Sequence, residues 1–178
     1  MLINGKEYRS VWLEGETLFM INQNLLPFDF GIKELHSYSE VVDSIRDMTV
    51  RGAPAIGAAG AFALALAAKA APDNGFRAYL RAARDTLIAS RPTAVDLHNG
   101  VQSVYEQILK FIPNYDHARQ VGLLAAQEFA NTSAEDCRLL GIVGSSIIPD
   151  GARILTHCNA GALATVDWGT ALAAIRAA

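Results

Sequence analysis

The chain has 178 residues, of which 51% are hydrophobic and 19% charged, so it can bury the core of one ordinary domain or two small ones. Its formal net charge of −3 and the lack of a long basic run give no reason to expect a nucleic acid or an anionic membrane as partner. Residues 1–15 lack the apolar core of a signal peptide, and two cysteines do not make a disulfide framework. We therefore expect a cytoplasmic protein with both thiols free.

The first part of the chain is predicted to be β-structure. The β-formers Val11 to Leu13 and the apolar run from Thr17 to Ile21 flank the turn Glu14-Gly15-Glu16. This pattern predicts a small β-meander over residues 1–27, closed by Pro27.

Helices are predicted from residue 37 to residue 148. Ser37 and Glu40 fit a capping box that opens the first helix. The stretch from 55 to 71 is mostly alanine and glycine and contains Lys69, which predicts a buried helix rather than a membrane span. Further helices are predicted at about 76–87, 97–111 and 116–130, and one more is predicted to open at the capping box Thr132–Glu135.

The character of the sequence changes after the turn Pro149-Asp150-Gly151. Residues 153–157 form a compact apolar run that predicts a strand, and a helix is predicted at about 162–178. Together they would make the first βα unit of a Rossmann-like parallel sheet. Because a lone parallel strand leaves both edges unpaired, we expect a truncated second domain over 151–178, or one completed by another chain. The predicted fold class is α/β, with residues 1–150 as the first domain.

Two arginines are candidates for holding an anion. Gly52 and Ala53 allow a ligand to approach the backbone, the next helix offers free N–H groups, and Arg51 adds a bidentate cation. The alternative is a tight interhelical turn with a surface arginine, and spacing alone favours it. Arg91, just before Pro92, could clamp an anion or could equally neutralise the end of the preceding helix.

The two cysteines differ in their surroundings. Cys158 follows the predicted strand and precedes the predicted helix, where open α/β sheets place ligand sites, but cysteine is also a common small core residue. Adjacent His157 would point to the opposite face of the strand and is a doubtful base for it. Cys137 has Leu140 and Gly141 at helical spacing and is expected in the core.

No metal or cofactor is expected. Three further histidines, His36, His98 and His117, are scattered without the spacing of metal ligands. The sequence contains no P-loop, GxGxxG, GxSxG or CxxC pattern.

Four stretches occur together in the order found in one family. They are NQNLLP (22–27), DMTVRGAPAIGAAGAFALALAA (47–68), RPTAVDL (91–97) and ILTHCNAGALATVDWGTALAAIRAA (154–178). The chain resembles the S-methyl-5-thioribose-1-phosphate isomerase family over essentially its whole length, and VRGAPAIG and THCNAGALAT are the specific motifs. The same superfamily holds ribose-1,5-bisphosphate isomerases and regulatory subunits of translation initiation factor 2B, which lack the two motifs in this paired form.

The resemblance implies an aldose–ketose isomerase of methionine salvage that acts on a phosphorylated pentose. Cys158 matches the family cysteine, with a role in proton transfer or transition-state stabilisation. Arg51, Gly52 and Ala53 match the substrate-binding segment, and Arg91 matches the arginine of the RPTAV motif. The family is usually dimeric, so a homodimer or association with a C-terminal half is expected.

The sequence also departs from the family pattern. The family is about twice this length, and its acid/base aspartate lies in a Rossmann-like C-terminal domain that neither Asp150 nor Asp167 replaces. The isolated chain is therefore expected to be inactive. Asp96, His98 and Asn99 stand where the family often has asparagine and tryptophan. Asn22 replaces a common aspartate.

Two alternatives remain open. One is a non-catalytic sugar-phosphate-binding protein of the initiation factor 2B type, with a regulatory or assembly role. The other is an isomerase of a related pentose 1-phosphate, such as 5-deoxyribose 1-phosphate.

Overall fold

The computed structural model describes residues 1–178, and its β-structure lies at the N-terminal end. Five short strands form one two-stranded and one three-stranded antiparallel sheet: β1 Leu2–Ile3, β2 Lys6–Glu7, β3 Val11–Glu14, β4 Thr17–Ile21 and β5 Ile32–Leu35. The order in the larger sheet is β3-β4-β5, with Val11 opposite Met20 and Leu18 opposite Leu35. All four of these side chains are buried.

The predicted meander is confirmed, but its predicted end at Pro27 is wrong. Pro27 lies in the connection between β4 and β5, where the N–H of Asn22 donates to the carbonyl of Gly31 at 2.8 Å. The third strand therefore follows the proline instead of preceding it. The two sheet faces differ, since Trp12 and Phe19 stack on the outer face with ring centroids 5.6 Å apart.

Six helices make up most of the rest of the chain: α1 Tyr38–Arg46, α2 Ala53–Ala70, α3 Phe76–Ser90, α4 Val95–Leu109, α5 Tyr115–Ser145 and α6 Ala171–Ala177. The side chain of Ser37 accepts a hydrogen bond from the N–H of Glu40, so the predicted cap of α1 is confirmed.

Helix α5 is one continuous helix of 31 residues where the sequence predicted two. The capping box at Thr132 is not used, because small buried residues recur on both sides of it and form one stripe against the rest of the fold. These residues are Ala118, Gly122, Ala126, Ala130, Ala134, Cys137 and Gly141.

Helix α2 is the centre of the helical core. Every residue from 55 to 68 is buried, and α1, α3, α4 and α5 pack around it. It crosses α4 closely, since a Cβ on Gly100 would collide with the carbonyl oxygen of Gly57. By length and composition α2 could cross a membrane, but 78% of it is buried inside the fold, as in the core helix of a globular domain.

The segment after α5 differs from its prediction. Residues 153–157 form no strand, no backbone hydrogen bond involves residues 153–159, and the side chain of Leu155 is 97% exposed. A strand forms only when another strand supplies its hydrogen bonds, and none lies alongside this segment. The helix predicted from residue 162 is replaced by the 3-10 turn Ala162–Ala164, and α6 begins only at Ala171. The expected βα unit is therefore not formed, while the α/β class of small sheets with helices stands.

Candidate active site

All five predicted site residues line one cleft of about 780 Å³. Arg51, Gly52 and Ala53 lie at the start of α2, Arg91 lies at the end of α3, and Cys158 lies in the segment after α5. Residues distant in sequence thus meet at one place. The other walls come from the connection after β4 and from the segment containing the 3-10 turn.

The N-terminus of α2 offers unpaired donors to this cleft. Gly52 is the cap residue with φ 90°, and no side chain caps the helix. The N–H groups of Gly52, Ala53 and Ala55 have no acceptor within the protein, and Pro54 has no N–H. Free N–H groups and the positive end of the helix dipole favour an anion at this position.

Gly52 also allows a close approach of two chain segments. A Cβ at this position would collide with the backbone of Ala164 in the 3-10 turn. Both the positive φ and the contact require glycine, so the start of α2 and the turn are held against each other.

Arg51 is fixed by neutral acceptors. Its Nη2 donates to the carbonyl of Gln23 at 2.9 Å, and its Nε donates to the carbonyl of Met48 at 3.3 Å. No carboxylate forms an ion pair with it. The guanidinium is therefore held in place with its charge uncompensated.

Arg91 has an uncompensated donor. Its Nη1 is buried and has no hydrogen-bond partner, and no carboxylate pairs with the side chain. No hydrogen bond joins the side chain to the last carbonyls of α3 either, which disfavours a role in neutralising that helix end. An unpaired buried donor costs about 1–3 kcal/mol, which an anionic ligand in the cleft would offset.

Cys158 is exposed, so its interpretation as a core residue is wrong. The expected strand-to-helix setting is also wrong, because the residue sits at φ 76° in a segment without hydrogen bonds. A residue other than glycine rarely holds this conformation without local strain. Cys137 is the core thiol: it is buried, and burial raises its pKa.

Sequence reasoning missed the part that Gln23 plays. This buried side chain lines the cleft, and its Nε2 donates to the carbonyl of Leu163 at 2.7 Å. Its own N–H donates to the carbonyl of Thr49 at 3.0 Å. Gln23 therefore joins three walls, and nothing in its local pattern distinguishes it from an exposed loop glutamine.

Thr165 and Thr170 also line the cleft. The hydroxyl of Thr165 donates to the carbonyl of Asp167 at 2.7 Å and accepts from the N–H of Gly169 at 3.1 Å, which fixes the loop before α6. Asp96 and Asn99, two of the departures from the family pattern, line a neighbouring depression instead of the cleft.

Several relatives resemble the chain over nearly all of its length. It is 39% identical over 170 residues to a putative methylthioribose-1-phosphate isomerase of Archaeoglobus fulgidus, covering 94% of this chain and 49% of that protein. It is 40% identical to a methylthioribose-1-phosphate isomerase of Rhodospirillum centenum, covering 98% and 48%. The chain spans about half the length of the curated relatives it matches.

Solved structures show the same fold. The 5-methylthioribose 1-phosphate isomerase of Pyrococcus horikoshii is 36% identical with a TM-score of 0.88, covering 96% of this chain and 49% of that one. A chain described as translation initiation factor eIF-2B, subunit delta, from A. fulgidus is 37% identical with a TM-score of 0.86, covering 96% and 51%. Residues 49–178 match the Initiation factor 2 subunit family, and the chain belongs to that family.

Proposed function

We propose that this chain supplies the N-terminal half of the active site of an aldose–ketose isomerase. The substrate would be S-methyl-5-thioribose 1-phosphate, the product the corresponding ribulose 1-phosphate, and the setting methionine salvage in the cytoplasm. One observation supports this proposal most strongly. A single cleft is lined by two arginines without carboxylate partners, by the uncapped N-terminus of a helix and by an exposed thiol.

The phosphate would bind between Arg51, Arg91 and the start of α2. The N–H groups of Gly52 and Ala53 donate to phosphate oxygens, and the guanidinium groups supply charge-assisted hydrogen bonds. A dianion here would also satisfy the buried Nη1 of Arg91. Holding the phosphate fixes the sugar carbon that carries it, which positions the reacting atoms.

The reaction would take place beside Cys158. Isomerisation breaks the bond between C1 and the ring oxygen, which takes up a proton and becomes the C4 hydroxyl. A hydrogen moves from C2 to C1, and the C2 hydroxyl loses its proton to become the carbonyl, so that no proton is gained or lost overall and the phosphate stays on C1. The thiol of Cys158 would transfer a proton or stabilise the transition state. By the family resemblance, the second acid/base group is an aspartate of a C-terminal half, so we expect this chain alone to be inactive.

The same resemblance supports the division of the protein into domains. We infer that residues 1–150 form the N-terminal domain and that residues 151–178 begin a Rossmann-like domain. The unpaired backbone of 153–159 and the exposed side chains of Ile154 and Leu155 fit a segment that pairs as a strand with further chain. A homodimer, or association with a C-terminal half, would complete the enzyme.

A chimera tests the proposed function. This chain replaces the matching half of the R. centenum isomerase, to which it is 40% identical, and formation of the ketose is followed by phosphorus NMR. We expect turnover that Cys158→Ser abolishes and that Cys137→Ser, the matched control, retains. A folded chimera that binds the substrate but forms no ketose would refute the isomerase proposal.

A second candidate function is supported by the structural relative described as an initiation factor subunit. In that case the chain would bind a sugar phosphate without turnover, in a regulatory or assembly role. Binding of ribose 1-phosphate together with an inactive chimera would favour it. A third candidate, isomerisation of a related pentose 1-phosphate such as 5-deoxyribose 1-phosphate, is distinguished by the preferred substrate of the same chimera.

A further inference from the structure

The loop between the 3-10 turn and α6, residues 165–170, supports the cleft from behind, and we call it the cleft loop. The N–H of its last residue, Thr170, donates to the carbonyl of Ala160 at 2.9 Å. Ala160 directly follows the unpaired segment 153–159, which carries the cleft thiol. A Cβ on Gly169 would collide with the same carbonyl oxygen, so the loop packs directly against this backbone. The position of the thiol therefore depends on the cleft loop.

The carboxylate of Asp167 organises the cleft loop. Its Oδ1 accepts a hydrogen bond from the N–H of Trp168 at 2.7 Å and another from the ammonium group of Met1 at 2.9 Å. The guanidinium of Arg176 lies 3.9 Å from the same oxygen and also stacks over the ring of Trp168, 4.5 Å from its centroid. One carboxylate oxygen thus holds a backbone donor and two cations together.

The ion pair between Asp167 and Met1 ties the loop to the N-terminal strands. The two side chains are only 22% and 12% exposed, so solvent screens this pair less than a surface pair. The ammonium group also donates to the carbonyl of Tyr8 at 2.6 Å. Nearby, the N–H of Ser10 donates to the carbonyl of Val166 at 3.0 Å. The first ten residues therefore hold the cleft loop from its outer side.

We propose that Asp167 is a positioning residue for the cleft, acting through its ion pair with Met1. The pair keeps the cleft loop in the form that completes the phosphate site and fixes the backbone next to Cys158. The proposal rests on the proposed function, because it takes the cleft to be the site of a sugar phosphate. Asp167 itself does not line the cleft. Only chains with the loop in place bind the ligand well, so the apparent affinity falls with the fraction of such chains.

Calorimetric titration of the full chain with ribose 1-phosphate tests the proposal. Asp167→Asn removes the charge but keeps an oxygen that can accept from Trp168. A Gly-Ser dipeptide added before Met1 replaces the ammonium group with an uncharged amide N–H. We expect each change to weaken binding about fivefold, the order of a partly exposed ion pair. Because both changes break the same pair, the combined variant should bind no more weakly than either one alone.

A spectroscopic readout separates positioning from a loss of stability. The chain has two tryptophans, so Trp12→Phe leaves Trp168 as the only one, next to Asp167 in the loop. With Asp167→Asn, we expect its emission to move to longer wavelength in the free chain and to return when ribose 1-phosphate saturates the site. Asp73→Asn is the matched control, since it breaks an ion pair with Arg119 outside the cleft and should change neither affinity nor emission.

The outcomes distinguish this proposal from the proposed function. Unchanged affinity in Asp167→Asn, or an emission shift that the ligand does not reverse, would overturn the positioning role and leave the phosphate site intact. So would losses that multiply to about 25-fold in the combined variant, because independent effects add in free energy. Failure of the unaltered chain to bind ribose 1-phosphate would overturn the proposed phosphate site, and the positioning role with it.

Discussion

The side chain of Gln23 donates a hydrogen bond to the carbonyl of Leu163 across 140 residues of sequence. The carbonyl of Gln23 in turn accepts from Arg51 at 2.9 Å. One residue of the connection after β4 thus fixes both the arginine at the start of α2 and the 3-10 turn on the far wall. The shape of the cleft depends on this bridge.

Replacing Gln23 should loosen the cleft. Gln23→Ala removes the bond to Leu163 and leaves a carbonyl without its partner, which should lower the free energy of unfolding by about 1–3 kcal/mol. Binding of ribose 1-phosphate should weaken as well. Urea unfolding and calorimetry measure the two effects. Gln127→Ala, which loses only a bond to Asn131 on the surface of α5, should change neither, and equal behaviour of both variants would contradict the bridge.

Arg91 is expected to lower the stability of the ligand-free chain and to strengthen the binding of a phosphorylated ligand. Arg91→Met removes the buried unpaired donor while keeping an apolar side chain of similar length, so we expect the free chain to gain about 1 kcal/mol in stability. The rise in melting temperature on adding ribose 1-phosphate should disappear. Arg77→Met, at an exposed position of α3, should keep that rise. A destabilised variant that still responds to the ligand would contradict the assignment.

Gly52 should tolerate no side chain. Gly52→Ala forces a Cβ against the backbone of Ala164 at a positive φ, and we expect it to be destabilising by more than about 1 kcal/mol. Gly75→Ala is the matched control, because Gly75 has φ 92° but open space around its Cβ position. The difference between the two melting temperatures measures the contact itself. If both variants lose the same stability, the backbone strain of alanine at a positive φ accounts for the whole loss, and the contact with Ala164 contributes nothing.

The two thiols should react at different rates. Cys158 is exposed, whereas Cys137 is buried and its pKa is raised by that burial, so little thiolate forms at neutral pH. Brief treatment with iodoacetamide at pH 7.5, followed by peptide mass spectrometry, should modify Cys158 first. In urea both should react. Modification of Cys137 in the folded chain at the rate of Cys158 would show that the core opens readily.

Asp47 should stabilise the fold in a pH-dependent way. Burial raises the pKa of this carboxyl, but hydrogen bonds from Thr49 and the charge of Lys33 outweigh it and lower the pKa overall. A pKa lower in the folded than in the unfolded chain adds stability at neutral pH, and this is lost as the pH falls below about 4. Because the side chain is half exposed, the contribution is small.

Urea unfolding of Asp47→Asn tests this linkage. The variant should be less stable than the unaltered chain at pH 7, and the difference should shrink progressively as the pH falls below about 4. Asp43→Asn, at an exposed position whose side chain makes no hydrogen bond, should not show this pattern. A difference that persists undiminished in acid would contradict the role of the charged form.

What the sequence could predict depended on how local each feature is. The cap at Ser37 depends on neighbouring residues, and it was predicted correctly. The candidate site residues were proposed from motifs, and the fold brings Arg51, Arg91 and Cys158 to one cleft. Features that depend on partners distant in sequence were missed. Strand β5 forms because its backbone pairs with β4, whereas residues 153–157 do not form a strand because no other strand pairs with them. The roles of Gln23 and Leu163 could not be found, because their hydrogen bond has no local signature.

The composition of α2 has a consequence for the rigidity of the site. Its buried residues are mostly alanine and glycine, whose side chains have no rotamer entropy to lose on burial. The helix is therefore packed in the core at little cost in side-chain entropy, with its backbone close to that of α4 at Gly57 and Gly100. The N–H groups at its start are therefore pre-organised, and binding of an anion there would need little reorganisation of that wall.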